Sequence, residues 1–362
     1  MNGGSINIIV VGLGFGSHFV PIYQRHPDVG RVALCDLDAD KLKAAGETFG
    51  IEDLFLSFEE AIKDDRFNAV HLLSPVPLHV EQTLAVLASG KHCACAVPMA
   101  TELIDLQRIV DVQNSTGLNY MMMETGVYDR AFLFARELCL CGELGRLTYL
   151  QGSYFQDLEG AYPAYWRAQP PMHYATHVMG PILSLAGTVA ESVCCFGAGK
   201  LRPDIQMEAG NVFPLQVGLF RLAGLDAVAE VTRSWFQVAR SYTEAFSVYG
   251  DRKSFEWQQL EHESPVMYTL NPLEPARRGR QVTAERVEPP YRPDLLPAEI
   301  AEFADGYHGG SHPHLAHEFV RSIVEKRPSA INAETAANWC APGICANDSA
   351  LRGGASVPIP RF

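Results

Sequence analysis

A short apolar run, Ile6–Val11 (Ile-Asn-Ile-Ile-Val-Val), leads straight into Gly12-Leu13-Gly14-Phe15-Gly16-Ser17 and then into a helical stretch to about Arg25. This order restricts the start of the chain to few folds. An apolar run without alternation reads as a strand buried on both faces, the habit of parallel sheets. The first glycine allows a tight turn. The second lets the backbone approach a pyrophosphate, which then sits on a helix N-terminus. Ser17 takes the third small-residue position, where Gly or Ala is usual. Asp36 ends a second strand, Val32–Cys35, at the spacing (roughly 20 residues) where a carboxylate accepts hydrogen bonds from adenosine ribose hydroxyls. Its charge opposes a 2′-phosphate, and no arginine follows it directly, so the pattern predicts NAD over NADP. Gly12, Gly14, Phe15, Gly16 and Asp36 are candidate cofactor residues.

The alternation continues. Asp38–Gly46 reads as a helix closed by glycine, and Ser57-Phe58-Glu59-Glu60 has capping-box spacing. Ala69–Leu73 is a strand, His79–Leu87 a helix, and Thr101 a candidate cap for a helix to about Gln113. Asn119–Met123 is the last strand of the series. Such βαβ units predict a doubly wound, Rossmann-type parallel sheet over residues 1–124. Beyond Glu124 the pattern changes. Tyr149–Phe155, Ser192–Gly197, Leu215–Arg221, Ala227–Arg233, Ala245–Gly250 and Lys253–Trp257 read as strands with few helices between them. They predict an α+β domain over 125–362 on an open, mainly antiparallel sheet. Helices are expected at Met172–Leu185 and from Pro313 to Glu325, and the segment 333–362 is a candidate to pack back on the first domain. Asn271–Gly310, rich in Pro and Arg, reads as a long functional loop.

The chain of 362 residues is long enough for two domains. A net charge of −13, from 29 basic and 42 acidic residues, argues against nucleic acid or an anionic membrane as a partner. No apolar run reaches the length of a membrane span, and the N-terminus lacks the charged region and cleavage site of a secretory signal, so a cytoplasmic protein is expected. The nine cysteines include no C-x-x-C pair. They read as reduced, mostly buried thiols.

Several polar residues stand out from this framework. Ser74 ends the strand Ala69–Leu73 near the switch point of the sheet, with His79 at the following helix start; both are candidates beside the nicotinamide half of a dinucleotide. Glu124 and Thr125 close Met121-Met122-Met123 at the carboxyl edge, where ligands bind in open α/β sheets. Trp166-Arg167 precede His173-Tyr174-Ala175-Thr176-His177. On a helix, His173 and His177 share one face. A metal pair is one account, but the Glu of H-E-x-x-H and an obvious third ligand are absent. Acid–base work suits histidine, whose ordinary pKa lies near neutrality. Packing alone is the third account. In Tyr307-His308-Gly309-Gly310-Ser311-His312-Pro313-His314 the glycines let a loop bend close to a ligand, and neutral imidazoles both donate and accept toward sugar hydroxyls. A metal site or a plain helix start also fits. Tyr128, Tyr154, Tyr162, Tyr165 and Trp166 offer aromatic surface for stacking on a sugar ring.

Taken together, Gly12-Leu13-Gly14, Asp36, Ser74-Pro75, His79, Gly90-Lys91-His92, Pro98 and the histidine-bearing segment 173–177 resemble the glucose–fructose oxidoreductase/inositol dehydrogenase (Gfo/Idh/MocA) family over most of the chain. Members often carry Glu-Lys-Pro where this chain has Ala96-Val97-Pro98. Their Lys, Asp and His triad corresponds to Val97, His173 and His177, so the lysine is missing. Met121-Met122-Met123-Glu124-Thr125, Tyr174-Ala175-Thr176-His177-Val178-Met179-Gly180-Pro181 and His308-Gly309-Gly310-Ser311-His312 resemble a subgroup, the NAD-dependent glycosidases typified by α-N-acetylgalactosaminidases. Departures at Thr125, Ser311 and His312 suggest a different sugar.

The resemblance implies a tightly held NAD, hydride transfer at sugar C3 and redox-neutral glycoside cleavage. It makes His177, His173 and Tyr174 catalytic candidates, adds Val97 to the cofactor residues, and assigns Tyr128, Trp166, Arg167, His308 and His312 to the substrate, with no metal. The alternatives are an ordinary sugar or polyol dehydrogenase and a non-catalytic NAD-binding sensor. A homo-oligomer, dimer or tetramer, is implied by resemblance.

Overall fold

The computed structural model describes residues 6–160, 162–204 and 213–362. Two compact units form. The first takes the chain up to Tyr128 and again from Tyr291 to Ala337; the second takes Asp129–Pro290 and Asn338–Arg361.

The first unit carries strands β1 (Ile6–Val11), β2 (Val29–Cys35), β3 (Leu54–Phe55), β4 (Ala69–Leu72), β5 (His92–Cys95) and β6 (Tyr120–Met122). They form one sheet in the order β3-β2-β1-β4-β5-β6, and every pairing is parallel. Ile8, Ile9, Val10, Leu34, Val70 and Leu72 have no exposure, as expected of strands covered on both faces. The order reverses between β1 and β4, and their carboxyl ends approach closely. A Cβ on Gly12 would lie 2.6 Å from the Leu73 carbonyl oxygen, so glycine is obligatory there, at a φ of 88°. The helix expected over Asp38–Gly46 runs from Ala39 to Phe49 and closes on Gly50 at φ 65°. Asp38 caps it by accepting from the Asp40 and Lys41 amides.

The expected boundary at 124/125 differs from the observed division, because Tyr291–Ala337 joins the first unit. The reason is the free edge of β6. The Ser329 hydroxyl donates to the Tyr120 carbonyl at 2.6 Å and the Met122 amide to the Ile331 carbonyl at 3.0 Å, so the returning chain covers that edge. Asn119 adds bonds to the Ser322 hydroxyl and the Arg327 carbonyl. The segment 333–362 does not return as one piece. Its helix, Ala333–Leu351, passes into the second unit at Asn338. There Asn347 accepts from Gln216 and Ser349 from the Cys195 amide.

The second unit has strands β7 (Leu147–Phe155), β8 (Ala190–Ala198), β9 (Leu215–Leu222), β10 (Val228–Ser234), β11 (Thr243–Gly250), β12 (Lys253–Glu256), β13 (Val266–Leu270), β14 (Val282–Arg286) and β15 (Val357–Pro358). Their order is β14-β13-β12-β11-β7-β10-β9-β8-β15. The sheet is antiparallel except for the β7–β10 pair. The segment expected to be a loop over Asn271–Gly310 contains β14. It is paired with β13, and its residues are all exposed, so they carry no hydrophobic alternation to reveal it. Among the described residues no helix is long and apolar enough to cross a membrane.

The helix Thr176–Ala186 packs on β7 and β11. Leu150, Gly152 and Tyr154 share the covered face by strand alternation. At Gly152 the helix is closest: a Cβ would meet Val178 Cβ at 2.8 Å and Ile182 Cδ1 at 2.9 Å. Gly152→Ala is therefore expected to overpack the layer and cost about 1–3 kcal/mol. Denaturant unfolding checks this, and an unchanged midpoint would mean that the helix is not seated as described.

Candidate functional site

Each unit carries one constellation of chemistry-bearing side chains. In the first, the Gly-rich turn follows β1. A Cβ on Gly14 would meet nothing within 4 Å, so the backbone there is open to a ligand. Gly16 packs closely against β1 and the end of β4. Its Cβ would lie 3.0 Å from Val10 Cγ1 and 3.1 Å from Leu73 Cδ1, while the Ser17 hydroxyl donates to the Gly14 carbonyl at 3.2 Å. Asp36 ends β2 and accepts from the Leu13 amide at 2.8 Å and the Asp38 amide at 3.0 Å, with Lys41 Nζ at 3.8 Å. A carboxylate has about four lone-pair sites, so acceptor capacity remains for ribose hydroxyls. The open turn and this carboxylate fit a dinucleotide. Gly12, Gly14, Gly16 and Asp36 are the residues that would hold it.

His308 and His312, expected on a sugar-binding loop, pack against that turn. His308, Gly309 and Gly310 are all left-handed, with φ of 51°, 59° and 81°. A Cβ on Gly310 would overlap the Ala304 carbonyl oxygen at 1.8 Å. The bend brings the His308 and His312 rings edge-on to Phe15, at 5.5 and 5.3 Å between centroids. His312 also stacks on Phe19 at 4.6 Å, and its Nε2 lies 3.1 Å from His308 Nδ1. Burial, then the charges of His308, His18 and His71, push His312 down to about 3, so its ring is neutral.

The remaining candidates of this unit also make contacts within the protein. His79 is buried, and its two ring nitrogens face carbonyl oxygens: Nδ1 lies 2.8 Å from Pro98 O and Nε2 2.9 Å from Ser74 O. A carbonyl cannot donate, so both nitrogens must, and the ring is an imidazolium. Burial opposes the charge, but the Cys95 side chain and the two carbonyls outweigh it and raise the group to about 9. His79 thus ties the Ser74 loop to the Val97-Pro98 turn. The Ser74 hydroxyl bonds Gln82 at 2.5 Å, and Val97 is buried. Glu124 caps the turn Thr125–Val127 by accepting from the Gly126 amide at 2.9 Å, and Thr125 is buried. Tyr128 stacks on His314 at 6.4 Å.

In the second unit, the single helix expected over Met172–Leu185 is broken. Pro171–Tyr174 is a 3₁₀ turn and the α-helix starts at Thr176, so His173 and His177 do not share a helix face. Pro170-Pro171 set the tighter turn, since proline is at home in a first turn and cannot continue a helix behind it. Burial lowers His173 to about 4. Among the described residues no group of three His, Cys, Asp or Glu is arranged for a metal ion.

His177, 8% exposed, lies within rings instead. Tyr154 is 5.5 Å and Tyr174 5.3 Å from it between centroids. Trp166 packs on Tyr174 at 4.5 Å and on Trp235 at 5.7 Å, and the neighbouring Arg167 is half-buried. Glu244 Oε1 lies 4.0 Å from His177 Nε2, and the Tyr242 hydroxyl donates to the same carboxylate. Arg233 has no exposure, with its guanidinium 3.5 Å from the Tyr154 ring and 3.6 Å from that of Trp235.

Sequence reading missed Glu244, Tyr242, Arg233 and Trp235. A signal existed for two of them. Arg233 continues the inward positions Ala229 and Val231, and Glu244 continues Phe246 and Val248. A charge on the apolar phase of a strand marks a buried polar site.

Residues 6–124 match the family described as oxidoreductase family, NAD-binding Rossmann fold (Gfo/Idh/MocA). A glycosyl hydrolase family 109 protein of Porphyromonas gingivalis is 26% identical over 202 residues, 50% of this chain and 42% of that protein. Another of that name, from Stenotrophomonas maltophilia, is 20% identical over 414 residues, 99% of this chain and 89% of that protein. The chain spans less than half the length of the first curated relatives it matches, 42% in each. Among solved structures, levoglucosan dehydrogenase in complex with NADH and L-sorbose superposes with a TM-score of 0.81 at 19% identity, covering 99% of this chain and 100% of that one. Apo scyllo-inositol dehydrogenase from Lactobacillus casei gives 0.73 at 18% identity, covering 99% of each. At these identities the superpositions establish the fold. Over residues 6–124 the chain is similar to the NAD-binding Rossmann domain of the Gfo/Idh/MocA family.

Two outcomes test the first unit. Asp36→Ala is expected to weaken NAD binding roughly 10- to 100-fold by removing a charged acceptor, measured by calorimetry. His79 carries a raised pKa, so its stabilisation is complete below pH 6.5 and is lost as pH rises through about 9. The free energy of unfolding should fall across that window by about 3 kcal/mol, with the melting temperature following it, and His79→Gln should flatten the fall.

Proposed function

We propose that the chain is an NAD-dependent carbohydrate-active enzyme that cleaves a glycosidic bond by transient oxidation at C3, with no net redox change. The observation carrying this reading is the buried, aromatic-walled His177 of the second unit; the resemblance adds that Val97 of the first unit stands at the position of the dehydrogenase lysine. The glycosyl hydrolase names of the relatives support it.

NAD, when bound, supplies the hydride acceptor and returns the same hydride. The protein's own residues do the rest. Trp166, Tyr174 and Arg167 bind the sugar in the second unit. Once C3 is a ketone, its hydride held by the cofactor and its hydroxyl proton released to water until the hydride returns, the C2 proton is acidic enough for a histidine to remove. His177 takes that proton, the electron pair stays on the sugar as an enolate, and the C1 substituent leaves with its bonding pair. Water adds, and C2 recovers a proton. His173, lowered by burial to about 4, stays neutral and serves as a hydrogen-bonding partner. His308 and His312 bear on Phe15 of the dinucleotide turn and act there on cofactor retention.

An ordinary sugar dehydrogenase is the second reading, favoured by the fold shared with levoglucosan dehydrogenase. A cytoplasmic homo-oligomer is the proposed form. Exposed Phe196, Leu219 and Val228 share one sheet face by register and support self-association.

A panel of aryl glycosides, followed for both aglycone and NADH, separates the readings. Aglycone release without NADH accumulation is expected, together with deuterium entry at C2. Stoichiometric NADH from a free sugar would favour the dehydrogenase. His177→Ala should lower turnover by at least about 100-fold and leave NAD bound; undiminished turnover would remove His177 from the mechanism.

A further inference from the structure

The second unit carries a row of three polar residues across its sheet. In β10–β7 register Arg233 pairs with Tyr154, and in β7–β11 register Tyr154 pairs with Glu244. All three lie on the face that otherwise presents Ala229 and Val231, Leu150 and Gly152, and Phe246 and Val248 to the helix Thr176–Ala186. Cross-strand neighbours on one face are in side-chain contact range. A guanidinium and a carboxylate there are costly unless each is compensated. Arg233 is compensated by Tyr154 O at 3.2 Å, Ser234 O, Gln156 Oε1 at 3.3 Å and two aromatic faces. The charge of Glu244 adds to that compensation, and its carboxylate has neighbours on the other side as well. It takes the Tyr242 hydroxyl, and it stands 4.0 Å from His177 Nε2 with its side chain only 14% exposed.

We propose that Glu244 is the positioning residue and counter-charge of His177, with Tyr242 fixing its carboxylate and the Tyr154–Arg233 pair walling it from water. The inference rests on the reading of His177 as the base. When His177 takes a proton it becomes a cation in a poorly solvated pocket, and a fixed carboxylate within about 4 Å stabilises that cation. A small side-chain movement converts the 4.0 Å approach into a charge-assisted hydrogen bond, as is common when a site fills. The missing lysine is replaced in effect by a neutral base made cationic on demand and by the anion that waits for it.

The groups surrounding this pair are Tyr154 on β7, Arg233 on β10, Tyr242 ahead of β11, Tyr174 in the preceding turn and Asp129 at the cap of the helix Arg130–Leu140. Asp129 is itself raised to about 6, by burial first, with the Glu244 charge contributing, so it titrates in the same range as a histidine.

The test compares NAD-loaded wild type with Glu244→Gln, and each with Asp129→Asn added as a control. The His177 imidazole is followed by ¹⁵N NMR, assigned through its loss in His177→Ala. The expected result in Glu244→Gln is a His177 midpoint lower by about one unit, unchanged bound NAD and melting temperature, KM within about threefold, and kcat lower by about tenfold or more. The midpoint difference should persist in the Asp129→Asn background. Glu244→Asp, which keeps the charge and withdraws it by one carbon, should recover part of both effects. It is also the fallback if Glu244→Gln does not fold, since its midpoint must then lie below that of wild type. An unmoved midpoint in the folded variant overturns the proposal. A moved midpoint in a protein that exchanges no sugar C–H proton keeps the His177–Glu244 pairing and sinks the glycosidase reading instead.

Discussion

A guanidinium without exposure sits on the covered face of the second unit's sheet, and the site there is arranged around it. Arg233 is held between the faces of Tyr154 and Trp235 and donates to oxygens on β7 and its own strand. Burial lowers it to about 10, which leaves it charged at neutral pH. A cation that cannot reach water fixes the rings that satisfy it. Those rings, Tyr154 and Trp235, in turn pack against Tyr174 and Trp166, and Tyr154 and Tyr174 flank the imidazole of His177. Sheet register, aromatic packing and the orientation of the candidate base are therefore one connected constraint. The preorganisation is of the kind that lets a site act without rearranging at the moment of reaction.

The first unit solves a different problem, that of presenting backbone to a ligand. The closeness of β1 and β4 at Gly12 leaves no room for a side chain inside the turn, and the open space over Gly14 leaves the outside free. Both follow from glycine alone, which is why this half was legible in the sequence: the needed residue types are few and their order is local. Asp36 was legible for the same reason. His79 was legible as a residue of the region, but its work is different from that expected, because only the folded chain brings the Pro98 and Ser74 carbonyls to its two nitrogens.

Part of what the sequence did not reveal is non-local, and part is local but silent in the hydrophobic pattern. The Arg233–Tyr154–Glu244 row joins residues from three strands, and no linear spacing encodes a register. The break at Ala175 was hidden because a 3.6-residue pattern through Met172–Leu185 reads the same whether or not the first turn tightens to 3₁₀. β14 is exposed on every residue and so lacks the alternation by which strands are recognised. The return of Tyr291–Ala337 to the first unit depends on an edge of β6 that only the folded sheet exposes. Two clues remained in view: an arginine on the apolar phase of the predicted strand Ala227–Arg233, and a glutamate one residue ahead of the predicted strand Ala245–Gly250, in phase with Phe246 and Val248. Inward charge in an otherwise regular strand is a specific signal, since it must be either compensated or put to use.

The loss of a lysine at residue 97 gains its meaning from proton accounting. A dehydrogenation takes one hydride and one proton from its substrate, and a relay that starts neutral and ends as a cation suits the proton that must leave. A redox-neutral cleavage ends with both returned. It needs a group that takes a proton and can release it, in a setting that makes its charged form tolerable and its neutral form accessible. An imidazole walled by tyrosines with a carboxylate 4.0 Å away meets those two conditions together. A lysine, strongly hydrated and basic, meets only the first unless its own pKa is driven far down. On the proposed reading, the aliphatic side chain at 97 leaves the first unit without that cation, and the polar row beneath His177 supplies a reversible one in the second.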